Sequence, residues 1–222
     1  MHMTGRGLLA LVRHEGLVPG PYLDVKNVWT FGIGHTASAG LPDPARMPRG
    51  MPVDLDAGIR EAFRRFCSDI VAYEAEVLRA VKVPLEPHEF DALVSFHYNT
   101  GGIAKASLTR HLNAGNRAAA AQGFMGWLRP TAIRTRREAE RDLFRDSRYP
   151  TGTIPVWAVD RNGRVDLSRP IRRLTETEAL TLLRPTVQPV PPTTPLPATT
   201  ESPGSPSWWQ RLMEFFTGKA TS

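Results

Sequence analysis

His14-Glu15-Gly16-Leu17, Pro21-Tyr22-Leu23-Asp24 and Trp29-Thr30-Phe31-Gly32-Ile33-Gly34-His35-Thr36 follow one another near the start of the chain, and their reading decides the fold. Ahead of them, Thr4 is a helix-capping residue and Leu8, Leu11 and Val12 share one helical face. A helix is therefore predicted through His14, with Gly16 as its stop. Pro19, Gly20 and Pro21 break that pattern, and Val28 to Ile33 reads as strand. Asp24 and Asn27 flank a turn between two short strands. One helix thus runs directly into a small strand-rich unit.

Outward from this unit the texture becomes helical. Residues 37–53, rich in Pro, Gly and Arg, form a connection longer than usual. From Asp54, the residues Ile59, Phe63, Phe66, Ile70, Tyr73 and Val77 recur every three or four positions, and Pro84 ends that helix. A second apolar segment, Phe90 to Phe96, runs up to Asn99-Thr100-Gly101-Gly102. Further helices are predicted at 106–114, 116–127 and 135–147. The expected class is α+β in two lobes, a small β-hairpin lobe followed by a larger helical one.

Residues 1–150 are taken as this main domain. A small extension is expected over 151–184. In it, Ile154 to Val159 and Arg164 to Leu167 flank a hairpin turn, Asp160-Arg161-Asn162-Gly163. Thr175 and Glu178 form a capping box opening a short helix. Residues 185–207 read as a Pro-rich, semi-rigid linker. Residues 208–222 read as an amphipathic segment, with Trp208, Trp209, Leu212, Met213, Phe215 and Phe216 on its apolar side.

The net charge of +6 favours polyanionic partners, among them acidic cell-wall polymers and anionic membrane surfaces. Nucleic acid ranks below these, because no zinc-finger, RNA-recognition or basic-zipper pattern is present. The single cysteine, Cys67, excludes an intrachain disulfide and reads as a packed thiol. Leu8 to Val12 is too short for a signal-peptide core, so synthesis in a host cytoplasm is expected, with action at the cell wall or periplasm after release.

The chemistry sits in the opening stretch. Glu15 closes the first helix, and Asp24 and Thr30 follow on the hairpin. Cleaving a glycosidic bond requires one carboxylic acid to protonate the leaving oxygen, and a second carboxylate on the other side of the sugar. A helix end facing a hairpin supplies one from each element. A carboxylate is also unfavourable in the last turn of a helix, so Glu15 stands against local preference. Asp24 alone would read as an ordinary turn residue and Thr30 as an ordinary strand residue. His88, His97 and His111 have no metal-ligand spacing, and neither metal nor cofactor is expected.

The same stretches resemble the signature of phage-type lysozymes, the endolysin muramidases of glycoside hydrolase family 24. The likeness continues through Val83-Pro84-Leu85, Glu89 to Phe96, Tyr98-Asn99, Leu112 to Gly115 and Arg136 to Glu140, spanning roughly residues 5–147. The 37–53 loop departs from the shortest family pattern. The resemblance implies Glu15 as general acid, with Asp24 and Thr30 placing and polarising a water. It also implies an ion pair between His35 and Asp69 that ties the lobes together, and Gly34, His35, Asn99 and Arg137 as substrate-binding or supporting residues. Of Arg134, Arg136 and Arg137, the choice for approaching Glu15 is Arg137.

The expected activity is hydrolysis of the β-1,4 bond between N-acetylmuramic acid and N-acetylglucosamine in peptidoglycan, with inversion, by a monomer. A lytic transglycosylase would need the glutamate but not a water-holding Asp24 and Thr30. A non-catalytic wall-binding prophage protein would need none of the three.

Overall fold

The computed structural model of the chain describes residues 1–183. The expected linker at 185–207 and the amphipathic segment at 208–222 lie outside the described residues.

Helix α1 (Gly5–Glu15) opens on Thr4, whose hydroxyl accepts from the Gly7 amide at 3.0 Å. It stops at Gly16, which has a φ of 74° and donates its amide to Val12. After one further residue comes β1 (Val18–Leu23), which pairs antiparallel with β2 (Trp29–Gly32), and β2 pairs with β3 (His35–Thr36). The register places Tyr22 opposite Thr30 and Leu23 opposite Trp29. It is irregular between Val18 and Tyr22, where Pro19 and Pro21 have no amide to donate.

Helix α2 (Leu55–Ala80) is capped by Asp54 and buries Ile59, Ala62, Phe63, Phe66, Ile70, Glu74 and Val77. Glu74 lies deep on this stripe because it serves the N-terminus, accepting from the Met3 amide at 2.7 Å with His2 Nδ1 also at 2.7 Å. Tyr73, expected on the buried stripe, packs at its margin. Helix α3 (Pro87–Thr100) is buried on every side from Glu89 to Asn99, as the central helix of a bundle must be, and Gly101 ends it in the left-handed region. Helices α4 (Ser107–Asn113), α5 (Arg117–Gly123) and α6 (Arg134–Asp146) complete the helical part. The helix expected over 116–127 tightens into a 3-10 turn at Phe124–Gly126, placing Phe124 against Phe96 and Phe144. Cys67 is half-buried against this core. The outcome is a small sheet region beside a larger helical part.

The extension differs in pairing from the single hairpin expected at 154–167. Strand β4 (Ile154–Val156) pairs with β7 (Arg172–Leu174), and only β5 (Ala158–Val159) pairs with β6 (Val165–Asp166) across the Asn162-Gly163 turn. The strand divides at Trp157, whose amide leaves the hairpin to donate to the Leu17 carbonyl at 2.9 Å. Helix α7 (Glu176–Leu183) follows, and Glu178 caps back onto the Thr175 amide at 2.7 Å. No helix among the described residues is long and apolar enough to cross a membrane.

Candidate active site

Glu15 is the last residue of α1 and fully buried. Its Oε1 accepts from Arg136 Nη1 at 2.6 Å, while Oε2 is buried without a hydrogen-bond partner among the described residues. Arg136 also donates through Nε to Glu140 Oε1 at 2.9 Å and through Nη2 to the Ser95 carbonyl at 3.2 Å. The Ser95 hydroxyl adds a 2.8 Å bond to Glu140 Oε1. Arg137 places Nη1 2.7 Å from Glu140 Oε2, donates to Asn99 Oδ1, and lies over the Phe96 ring at 5.2 Å. Glu15, Glu140, Arg136 and Arg137 therefore form a buried set of two carboxyl and two guanidinium groups. Isolated ions could not be held there, because the desolvation of a single charge is too costly.

The arginine beside Glu15 is thus Arg136, which corrects the expectation of Arg137. Both lie on the buried stripe of α6, together with Glu140, Leu143 and Phe144. Sequence spacing places 136 and 137 on the same side of the helix and cannot choose between them. Arg137 instead holds Asn99, and both are fully buried. Burial lowers the Arg137 pKa to about 10, with Arg136 adding to the effect, and the group stays cationic at neutral pH. His14, next to Glu15, is held well below its usual value by burial, then by the cations of Arg136, Arg137 and Arg13.

Asp24 occupies the turn between β1 and β2. Its Oδ1 accepts from the amides of Lys26 at 2.8 Å and Val28 at 2.9 Å, and its own amide donates to the Val28 carbonyl at 3.0 Å. Asn27 completes the turn in the left-handed region, where asparagine is tolerated. One carboxylate oxygen is thus committed to the backbone, which fixes the orientation of the other. Thr30 is buried on β2, and its hydroxyl donates to the Val28 carbonyl at 3.1 Å. Asp24 and Thr30 are therefore tied to the two polar groups of one residue.

His35, on β3, has Nδ1 2.7 Å from Asp69 Oδ2 on α2 and Nε2 2.9 Å from the Pro42 carbonyl. Each ring nitrogen thus faces an oxygen, one on a carboxylate and one on a carbonyl. Gly34 has a φ of +87°, and a Cβ there would lie 2.9 Å from the Tyr98 hydroxyl. That hydroxyl donates to the Ile33 carbonyl at 2.6 Å, a second bond between sheet and helices. Gly34 is thus a close-approach residue in this structure.

Sequence reasoning missed Glu140, Ser95 and Tyr98. For Glu140 the signal was present: a charged residue falling on the same helical stripe as Leu143 and Phe144 must find a buried partner. Ser95 and Tyr98 sit on a helix buried all round, where periodicity carries no directional information.

A glutamate at a helix end, an aspartate and threonine on the next hairpin, and a helical body carrying the supporting arginine define a lysozyme-type glycosidase. Residues 12–140 match the phage lysozyme family, and the chain belongs to it. The endolysin of Salmonella phage P22 is 32% identical over 150 residues, covering 65% of this chain and 98% of the relative. The endolysin of Acyrthosiphon pisum secondary endosymbiont phage 1 is 31% identical over 156 residues, covering 65% of this chain and 98% of the relative. Among solved structures, the endolysin from Escherichia coli O157:H7 phage FAHEc1 superposes with a TM-score of 0.59 at 28% identity. It covers 68% of this chain and 98% of that one. The chain is accordingly an endolysin-type muramidase, a glycosidase that hydrolyses peptidoglycan.

Proposed function

We propose that Glu15 is the general acid of an inverting hydrolysis of the β-1,4 bond between N-acetylmuramic acid and N-acetylglucosamine, with Asp24 and Thr30 holding the attacking water. The observation that carries this is the asymmetry of the Glu15 carboxyl. Arg136 holds Oε1, and Oε2 is left as the proton-bearing oxygen for the glycosidic leaving group. Thr30 spends its hydroxyl proton on Val28, so its lone pairs remain to accept from a water. Asp24, oriented by the Lys26 and Val28 amides, takes the second proton of that water as it attacks the anomeric carbon. The leaving sugar departs with the Glu15 proton. A nucleophilic carboxylate would stand only about 5–5.5 Å from the acid, whereas a water between the two needs roughly 6.5–9.5 Å.

Two measurements test this. Glu15→Gln keeps the shape but has no proton to give, and is expected to abolish lysis with the circular dichroism spectrum unchanged. Substantial lytic activity in that variant ends the assignment. NMR of the first-formed anomer from a β-linked oligosaccharide is expected to show α product, and β product appearing first overturns inversion. Mass spectrometry of peptidoglycan digests separates the alternative, since anhydro ends mark a transglycosylase and reducing N-acetylmuramic ends a hydrolase. The chain is placed in the host cytoplasm when made, as a monomer, and reaches the wall on release.

A further inference from the structure

The free edge of β1 is covered by chain outside the family match. The match ends at residue 140, and β1 lies at the end of its three-stranded sheet, with β2 as its one strand neighbour there among the described residues. An edge strand in so small a sheet has little intrinsic stability. Here the extension takes up the edge at both ends. Before β1, the Trp157 amide donates to the Leu17 carbonyl at 2.9 Å; at its end, the Leu23 amide donates to the Gly163 carbonyl at 2.8 Å. Between them, Val159 packs with Val18 and Tyr22, and a Cβ on Gly20 would lie 2.9 Å from Val159 Cγ1. The residue after Leu23 is Asp24.

Gly163 makes a second contact. Its φ is +79°, and a Cβ there would stand 2.7 Å from Trp29 Cζ3 and 3.1 Å from the Leu23 nitrogen. Trp29 pairs with Leu23 across the hairpin. The Arg49 guanidinium stacks on the same indole at 3.4 Å, itself held by the carbonyls of Pro44 and Ala45. The base of the Asp24 turn is thus met both by the 37–53 loop and by the β5–β6 turn.

We propose that the β5–β6 hairpin is a positioning element for the reaction, clamping the free edge of β1 through Gly163 and so fixing Asp24. This rests on the reading of Asp24 as the residue that activates water. Gly163 touches no substrate; it acts through Leu23 and Trp29. Misplacing a reacting group by about 1 Å costs up to roughly 100-fold in rate, so the effect falls on kcat rather than on binding.

The test uses the full chain on purified peptidoglycan. Gly163→Ala is expected to lower kcat by about tenfold or more, with KM nearly unchanged. Trp29→Phe removes the indole atoms that the new methyl meets but not its approach to the Leu23 nitrogen, so adding it to Gly163→Ala is expected to restore part of the lost kcat, measured against Trp29→Phe alone. Val159→Ala, which only removes atoms, is the milder second variant and is expected to lower kcat in the same sense. Arg172→Ala, elsewhere in the extension, breaks ion pairs to Asp56 of α2 and to Glu178. It is expected to lower the melting temperature and leave kcat alone. Full kcat in folded Gly163→Ala and Val159→Ala, or an equal loss in Arg172→Ala, overturns the clamp. Asp24→Asn separates the two ideas. If it is inactive while the Gly163 and Val159 variants are not, only the clamp falls; if it keeps full kcat, the reading of Asp24 itself is wrong.

Discussion

A carboxylate in the last turn of a helix faces the partial negative charge of the free carbonyls, and Glu15 is buried there as well. Arg136 is what makes the position tenable, because it bridges Glu15 and Glu140 while Arg137 holds the other oxygen of Glu140. Arg136→Met is close in length but removes the charge, leaving Glu15 without an ion-pair partner among the described residues. The expected cost is about 3–5 kcal/mol, read as a lower urea midpoint. Arg137→Met should leave the Glu15–Arg136 contact in place and release Asn99 instead. Equal stability of Arg136→Met and the unmodified protein would show that the buried set is not held as described. At this scale the helix end at Glu15, the turn at Asp24 and the strand at Thr30 were legible in local sequence, while the roles proposed for Asp24 and Thr30 came mainly from the family resemblance. The choice of arginine was not, since adjacent residues on a buried stripe differ by only 100° of rotation.

Between elements, the sheet is attached to the helices by two polar ties placed close together on the chain. His35 on β3 meets Asp69 on α2, and Tyr98 on α3 reaches the Ile33 carbonyl. Asp69→Asn keeps the outline of the side chain but leaves the His35 ring facing a neutral amide in place of the carboxylate. Both side chains are almost fully buried, so a loss near 3 kcal/mol is expected, at the low end of the range for breaking a buried pair. Thermal unfolding at neutral pH checks it, and the loss in stability should exceed any loss in kcat at permissive temperature. The long helices were readable because their apolar positions repeat over many turns, as in Ile59 to Val77. Strands β3 and β7 were not: they hold His35–Thr36 and Arg172–Leu174, too short for a period to show. The pairing of β4 was lost for a different reason. Asn162-Gly163 does make the expected turn, but the Trp157 amide is claimed by Leu17, a long-range contact that local sequence does not encode.

Over the whole molecule, an excess of cationic groups is combined with two histidines, His14 and His97, whose protonation the fold disfavours. His14 lies against Arg13, Arg136 and Arg137, and burial followed by these cations holds it well below 6.5. His97 is fully buried beside Tyr73, with Glu76 2.8 Å from its Nε2; burial lowers its pKa, Arg79 adds to this, and Glu76 opposes both. The sign of the linkage follows. Above the unfolded value of about 6.5 these rings are neutral in both states and contribute no slope. As pH falls through that value the unfolded chain takes up protons that the folded one refuses, so stability falls with it. A histidine that stays neutral in the fold then costs about 1.4 kcal/mol at one unit below its unfolded pKa. Asp91 works the other way, because burial raises its carboxyl despite hydrogen bonds from Thr4 and Tyr149, and acid therefore relieves a cost there. That relief sets in as pH falls through the raised carboxyl value, and it opposes the histidine contribution wherever the two overlap. Urea unfolding at about pH 7.5 and about pH 5.5 is thus expected to show lower stability at the acid value. Replacing His14 and His97 together by glutamine should flatten that difference, since neither amide titrates. Stability that is equal or higher at the acid value in the unmodified protein would mean that the two rings accept protons within the fold, against the cations and burial that surround them.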